Sequence, residues 1–178
     1  MALDYAIRRP SRVASLSLVS PSGIGRQNPW FLLKAGLFLL LGKWGLRKSF
    51  SLTAGKTSVA SDVADFVTLI FRHFRPRMEK LPIRTDAELA SLRVPVQLIV
   101  GGRDALIRSN ETRERMARLV PRLQLTYLEN EGHLLPKQTS TIGAFLSAQA
   151  AASTARHRTD DEERFEPGSN LLGQRRVG

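Results

Sequence analysis

A chain of 178 residues with 42% hydrophobic composition can bury one core and is short for two. It has no cysteine, which excludes a disulfide framework and a thiolate zinc site, and its three scattered histidines argue against other metal centres. The net charge is +11, all of it in residues 1–150, where 22 Lys+Arg face 11 Asp+Glu; residues 151–178 carry five of each. Such charge can attract nucleic acid or anionic lipid, but no recognition motif accompanies it, so a solvated, Arg-rich surface and no nucleic-acid partner are expected.

Met1 to Ile7 reads as the end of a helix, stopped by Arg8, Arg9 and Pro10, because proline disfavours the helical conformation in the residue before it. Val13 to Val19 is a short apolar run between Pro10 and the turn cluster Pro21, Gly23, Gly25, the pattern of a buried strand. Arg8, Arg9 and Arg12 ahead of an apolar run resemble an export signal, yet Ser15 and Ser17 interrupt the run, Asp4 sits among the basic residues and no clean cleavage site precedes Pro21. A cytoplasmic chain is the expectation.

Residues 26–85 form a separate block of helical character. Trp30 to Leu46 is the most apolar stretch, but Lys34 and Lys43 lie in it and it is short of the roughly 20 apolar residues a membrane span needs. A polar connection from Ser49 to Ser61 leads to a helix near Asp62 to Phe74, where Phe66, Leu69, Ile70 and Phe74 mark one apolar face; Ser61 or Asp62 can cap it and Pro76 stops it. After Pro82 strands and helices alternate. Val94 to Val100 is a β-branched strand, Asn110 to Leu119 a charged amphipathic helix, Leu123 to Leu128 a second strand, and Thr139 to Ala150 a helix with Ile142, Phe145 and Leu146 on one face. This order implies a parallel sheet of about three strands with flanking helices. From Ala151 the chain turns polar and loses periodicity, so residues 151–178 are expected to form a disordered tail, and the acidic run Asp160 to Glu163 to be solvated.

In an open parallel sheet, functional groups gather in the loops beyond the carboxyl ends of the strands. Two such loops stand out. Val100-Gly101-Gly102-Arg103-Asp104 lets the chain turn off its strand and sets an aspartate at the sheet's edge, and Asn130-Glu131-Gly132-His133 sets a histidine beyond the next strand. A histidine can act as general base, with a carboxylate on its other ring nitrogen fixing the tautomer. Taken singly, an aspartate after two glycines is often a turn or cap residue and a Gly-His after a strand is often structural; in this order and spacing the two reinforce each other.

The segment VPVQLIVGGRDALI, followed 29 residues after its aspartate by the histidine of LENEGHLLP, resembles the acid and histidine loops of the α/β-hydrolase family, with Gly102, Asp104, Gly132 and His133 carrying the match. ALDYAIRRPSRVASLSLVSPSG is similar to the helix and strand after that family's nucleophile elbow. The resemblance implies a partial α/β-hydrolase core in residues 1–25 and 86–150, a helical cap in 26–85, and Asp104 and His133 as the acid and base of a Ser-Asp-His triad. It implies hydrolysis of an ester or similar acyl compound, a small apolar acyl substrate, and no cofactor or metal.

The family's order is Ser, acid, His, with the serine in G-x-S-x-G. No G-x-S-x-G occurs here, and by the resemblance Met1 falls a few residues beyond where that serine would stand, so the chain is expected to be inactive alone. Relatives with an aspartate at the elbow do other chemistry, which leaves the identity of the nucleophile open. Ser22, in SPSGIG, mimics part of an elbow but lacks the glycine two residues before it. His73 reads as a surface or packing histidine, His157 as a tail residue, and Trp30, Phe31, Phe38, Trp44 and Phe71 as either pocket lining or packing. Two alternatives remain: a non-catalytic interaction protein, and a basic membrane-associated protein anchored by residues 30–46. Three strands would leave a parallel sheet with an open edge, through which self-association is expected.

Overall fold

The computed structural model describes residues 1–39, 45, 66, 69, 70, 73, 74 and 82–164. Three parallel strands form one sheet in the order β1-β2-β3: β1 is Leu16–Val19, β2 Val96–Gly101 and β3 Leu123–Leu128. Leu16 stands opposite Val96 and Leu18 opposite Leu98, while Val96 faces Leu123 and Val100 faces Tyr127. The central strand is buried along all six residues, which is why its sequence is nearly continuous in apolar side chains rather than alternating.

Helices cover both faces. α1 (Ala2–Arg8) and α4 (Ser109–Leu119) lie on one side. There Leu3, Ala6, Leu16, Leu18, Val96, Leu98, Val100, Met116 and Val120 make a single apolar core. Leu89 and Leu92, from α3 (Asp86–Ala90) and the turn after it, complete that core. The other face packs against α5 (Thr139–Arg164), where Phe145 is buried. Gln97 on that face is fully buried in mid-strand, and its amide is satisfied: Ser17 Oγ donates to its Oε1 at 2.8 Å and its Nε2 donates to the Thr141 carbonyl at 3.2 Å. One polar side chain thus ties β1, β2 and α5.

The strand expected from Val13 begins only at Leu16. Pro10–Arg12 form a 3-10 turn that holds Val13, whose N–H bonds back to the Pro10 carbonyl. α3 was not legible as a helix, being five residues long. Its formation rests on a capping box in which the Thr85 hydroxyl accepts from the Glu88 amide and the Glu88 carboxylate accepts from the Thr85 amide. α5 does not end at Ala150, where the sequence places the end of the final helix, but runs on through Arg164. Ala150, Ala151, Ala152 and Ala155 are strong helix formers, and no proline or glycine interrupts the chain before Pro167, so propensity sustains the helix without an apolar face. Residues 165–178 lie outside the described ones.

Of the block 26–85, the structure describes α2 (Pro29–Leu39) and residues 45, 66, 69, 70 and 73 in helical conformation. Asn28 caps α2, its side chain accepting from the Trp30 amide, and Pro29 sits in the first turn where its missing N–H costs nothing. The remainder of the apolar stretch to Leu46 and of the Asp62 to Phe74 helix lies outside the described residues. Among the described residues no helix is long and apolar enough to cross a membrane.

Both ends of this block are bound to the core. The segment 26–28 pairs with the loop after Asp104: Arg108 N–H donates to the Arg26 carbonyl at 3.0 Å, Asn28 N–H to the Leu106 carbonyl at 2.8 Å, and Gln27 bridges Ile107 antiparallel. At the other end Arg84 N–H donates to the Gly23 carbonyl at 2.8 Å. Arg115 on α4 clamps both ends together, donating to the Ile24 carbonyl, to the Arg84 carbonyl and to Asp86. Arg84 in turn pairs with Asp4 at 2.7 Å and Glu88 at 3.2 Å.

Candidate active site

Asp104 follows the end of β2, and His133 follows the end of β3, five residues past Leu128. The two loops leave adjacent parallel strands at the same edge, and the main chain staples them: Gly102 N–H donates to the Leu128 carbonyl at 2.8 Å and Arg103 N–H to the Glu131 carbonyl at 2.9 Å. The glycines make this approach possible. A Cβ on Gly101 would lie 2.1 Å from the Gly132 carbonyl oxygen and 2.6 Å from that of Glu131; one on Gly102 would lie 2.7 Å from the Glu129 carbonyl oxygen. The chain turns off β2 at these glycines, with Asp104 N–H donating to the Gly101 carbonyl at 3.4 Å, but among the described glycines only Gly23 has a positive φ, so Gly101 and Gly102 serve here to clear space.

The result is a direct contact between the two side chains singled out in the sequence. His133 Nδ1 lies 2.7 Å from Asp104 Oδ2. The Asp104 side chain is fully buried and both of its oxygens are engaged, since Oδ1 accepts from the Leu106 amide at 2.8 Å and the Ile107 amide at 3.1 Å. An ionised carboxylate can only accept, so Nδ1–H donates to it, and the neutral ring keeps an unprotonated Nε2. The His133 side chain is 26% exposed, so the ring is anchored on one side and reachable on the other. A buried carboxylate, an imidazole oriented by it and an accessible second ring nitrogen are chemically able to take up and release a proton at Nε2.

Ninety-two solved chains share this arrangement of elements at high significance. The carboxylesterase CesB (YbfK) from Bacillus subtilis superposes over 84% of this chain with a TM-score of 0.66 at 23% identity, and 55% of that structure is covered. The fold is that of an α/β-hydrolase. A second α/β-hydrolase structure, the meta-cleavage product hydrolase CumD from Pseudomonas fluorescens IP01, matches 85% of this chain and 61% of its own with a TM-score of 0.64 at 18% identity. In sequence, the chain is 38% identical to carboxylesterase YbfK of Bacillus subtilis strain 168 over 65 residues, 36% of this chain and 22% of that protein. No family model matches the chain. It spans about half the length of these structures, and its three strands are a part of the α/β-hydrolase sheet.

The remaining sequence candidates stand apart from this pair. Ser22 is an exposed bend residue and His73 an exposed helical one. His157 falls within α5. Phe31 is buried at 9% exposure, whereas Trp30 is 68% exposed. Trp44 and Phe71 lie outside the described residues. Among the described residues no group of three or more His, Asp or Glu side chains could hold a metal ion.

Three features were not foreseen. The amides of Leu106 and Ile107 fix the acid, the stem 26–28 pairs with that same loop, and Arg115 clamps the stem. Main-chain donors leave no residue-type signature, which is why the first two were invisible. Ser20, just past β1, has φ of 41° and a buried hydroxyl with no partner among the described residues, which marks a strained position.

Proposed function

We propose that this chain supplies the acid and base of an ester-hydrolysing centre, with His133 as general base and Asp104 as its orienting carboxylate. The observation that supports this most directly is the 2.7 Å contact between His133 Nδ1 and an Asp104 whose other oxygen is already held by two amides. In acyl transfer, Nε2 of His133 takes the proton of the attacking hydroxyl and returns it to the leaving alcohol, while Asp104 holds the ring and balances the imidazolium. Asp104 acts through His133 and is a positioning residue.

The nucleophile is not among these 178 residues in any elbow motif, so the isolated chain does not turn over esters. Residues 26–85, fastened at both stems beside the acid loop, act as the cap that admits a small apolar acyl compound. The open side of β1 is the place for a further strand: Leu16 and Ser20 amides bond toward β2, so alternation points those of Ser17 and Val19 the other way. An unfilled edge of that kind promotes self-association.

The test uses p-nitrophenyl butyrate with the chain itself and with a longer form encoded by in-frame DNA upstream of Met1. The expected result is no turnover above a His133→Ala control for the chain, and turnover abolished by His133→Ala in a longer form that carries an elbow serine. Turnover by the 178-residue chain that depends on His133 would overturn the assignment of an external nucleophile; a longer form indifferent to His133 would overturn the assignment of the base.

A further inference from the structure

Asp104 must satisfy two sets of partners that belong to different elements. Its Oδ1 is held by the Leu106 and Ile107 amides, which lead into the start of α4, and its Oδ2 meets His133, which follows β3. Both contacts last only while the start of α4 and the end of β3 keep a fixed separation. One side chain spans that gap. Tyr127, next to last in β3, donates its hydroxyl to Asn110 Oδ1 at 3.1 Å, and Asn110 is the second residue of α4, in the chain just beyond Ile107.

The same hydroxyl meets the acid loop, for a Cβ built on Gly102 would stand 2.7 Å from it. The ring itself is held on two sides. Arg113, further along α4, sets its guanidinium carbon 4.5 Å from the ring centroid, within cation–π range, and the ring packs against the apolar core. Core packing asks only for the ring, which a phenylalanine would supply; the hydroxyl adds contact with α4 and with the acid loop at once. We propose that Tyr127 is a positioning residue for the Asp104–His133 pair. Its hydroxyl, held by Asn110, sets the distance between α4 and β3 at which Asp104 reaches both the two amides and the imidazole. The consequence for acyl transfer rests on the reading of His133 as general base; the consequence for the orientation of the ring does not.

The test reads the imidazole directly. The full chain is labelled with nitrogen-15 histidine, the His133 signals are assigned by their loss in His133→Ala, and the two ring-nitrogen shifts give the ratio of the Nδ1–H to the Nε2–H form of the neutral ring. The Nδ1–H form should dominate in the unaltered chain. Tyr127→Phe keeps the ring and its Arg113 contact and should lower the ratio about tenfold, the worth of roughly one net hydrogen bond. Asn110→Ala should do the same, and the double variant should fall no further, because both changes remove one bond. Val120→Ala, at the other end of α4, separates positioning from plain loss of stability: it should lower the urea midpoint and leave the ratio unchanged. In a longer, active form Tyr127→Phe should lower kcat about tenfold with KM unchanged. A Tyr127→Phe chain with the unaltered ratio, a Val120→Ala chain whose ratio falls as far, or a double variant that falls by the product of the two single effects would each overturn the assignment. A longer form that hydrolyses esters regardless of His133 would instead overturn the reading of the base and leave the ratio test standing.

Discussion

Replacing Gly101 with alanine tests the claim that the acid and histidine loops are held together by backbone approach. The added Cβ would sit 2.1 Å from the Gly132 oxygen, 2.6 Å from the Glu131 oxygen and 2.9 Å from the Glu131 carbon, all main-chain atoms that no rotamer change can remove. To reach ordinary contact the histidine loop must retreat by about 1 Å. That displacement takes the 2.8 Å Gly102–Leu128, 2.9 Å Arg103–Glu131 and 2.7 Å Asp104–His133 bonds past the useful hydrogen-bond range. At about 1 kcal/mol for each backbone bond and more for the bond to the carboxylate, the cost is roughly 3–5 kcal/mol, a large part of a small domain's stability. Urea unfolding followed by circular dichroism measures it. The downfield Nδ1 proton of His133 in a proton NMR spectrum reports the Asp104 contact separately. Gly143→Ala is the matched control: nothing lies within 4 Å of its added Cβ, and in mid-helix it should stabilise by about 0.5–1 kcal/mol. A Gly101→Ala chain within 0.5 kcal/mol (about the noise of a surface change) that keeps the downfield proton would refute the stapled-loop account.

Asp104→Asn keeps an oxygen for the Leu106 and Ile107 amides but turns an amide donor toward His133; the downfield Nδ1 proton should vanish with a stability loss of about 1–3 kcal/mol, and in an active longer form kcat should fall by on the order of 10^4. Arg115→Ala releases both stems of the 26–85 block and should cost about 1–3 kcal/mol in urea unfolding, with a matching rise in protease cleavage between residues 26 and 85. The Arg115 side chain, and after it that of Arg118, holds the Asp86 carboxyl below its ordinary value. Its folded form therefore binds a proton less readily than its unfolded form, so the pair stabilises the protein above the ordinary carboxylate range and this is lost as pH falls through it; Asp86→Asn should flatten the decline of Tm between about pH 6 and pH 3. Light scattering after size exclusion should show mass rising with concentration through the open β1 edge, and Val19→Lys, placed on that edge strand at 38% exposure, should suppress the rise.

The central strand and the Asp104–His133 contact were legible because each leaves a strong local mark. A largely apolar, β-branched run fixes β2, and an aspartate and a histidine in the loops that leave two neighbouring parallel strands come out at the same sheet edge. Gln97 was not legible, since a buried glutamine reads as a polar interruption until its partners on β1 and α5 are known. The end of α5 was set too early, at Ala150, because low hydrophobicity was weighed above the helix propensity of the alanines that follow. The apolar spacing of Phe66, Leu69, Ile70 and Phe74 gave their common face correctly, but periodicity alone does not say whether a face meets the core or the solvent.

The pairing of residues 26–28 with 106–108 uses main-chain atoms throughout. Substituting Arg26, Gln27 or Asn28 leaves those bonds available, whereas adding or removing one residue between Gly25 and Pro29 shifts the register and pulls on Ile107, whose amide holds Asp104. What is constrained at this junction is therefore the number of residues and not their identity, so the block beyond Pro29 can diverge freely in sequence while its attachment to the acid loop stays fixed in length.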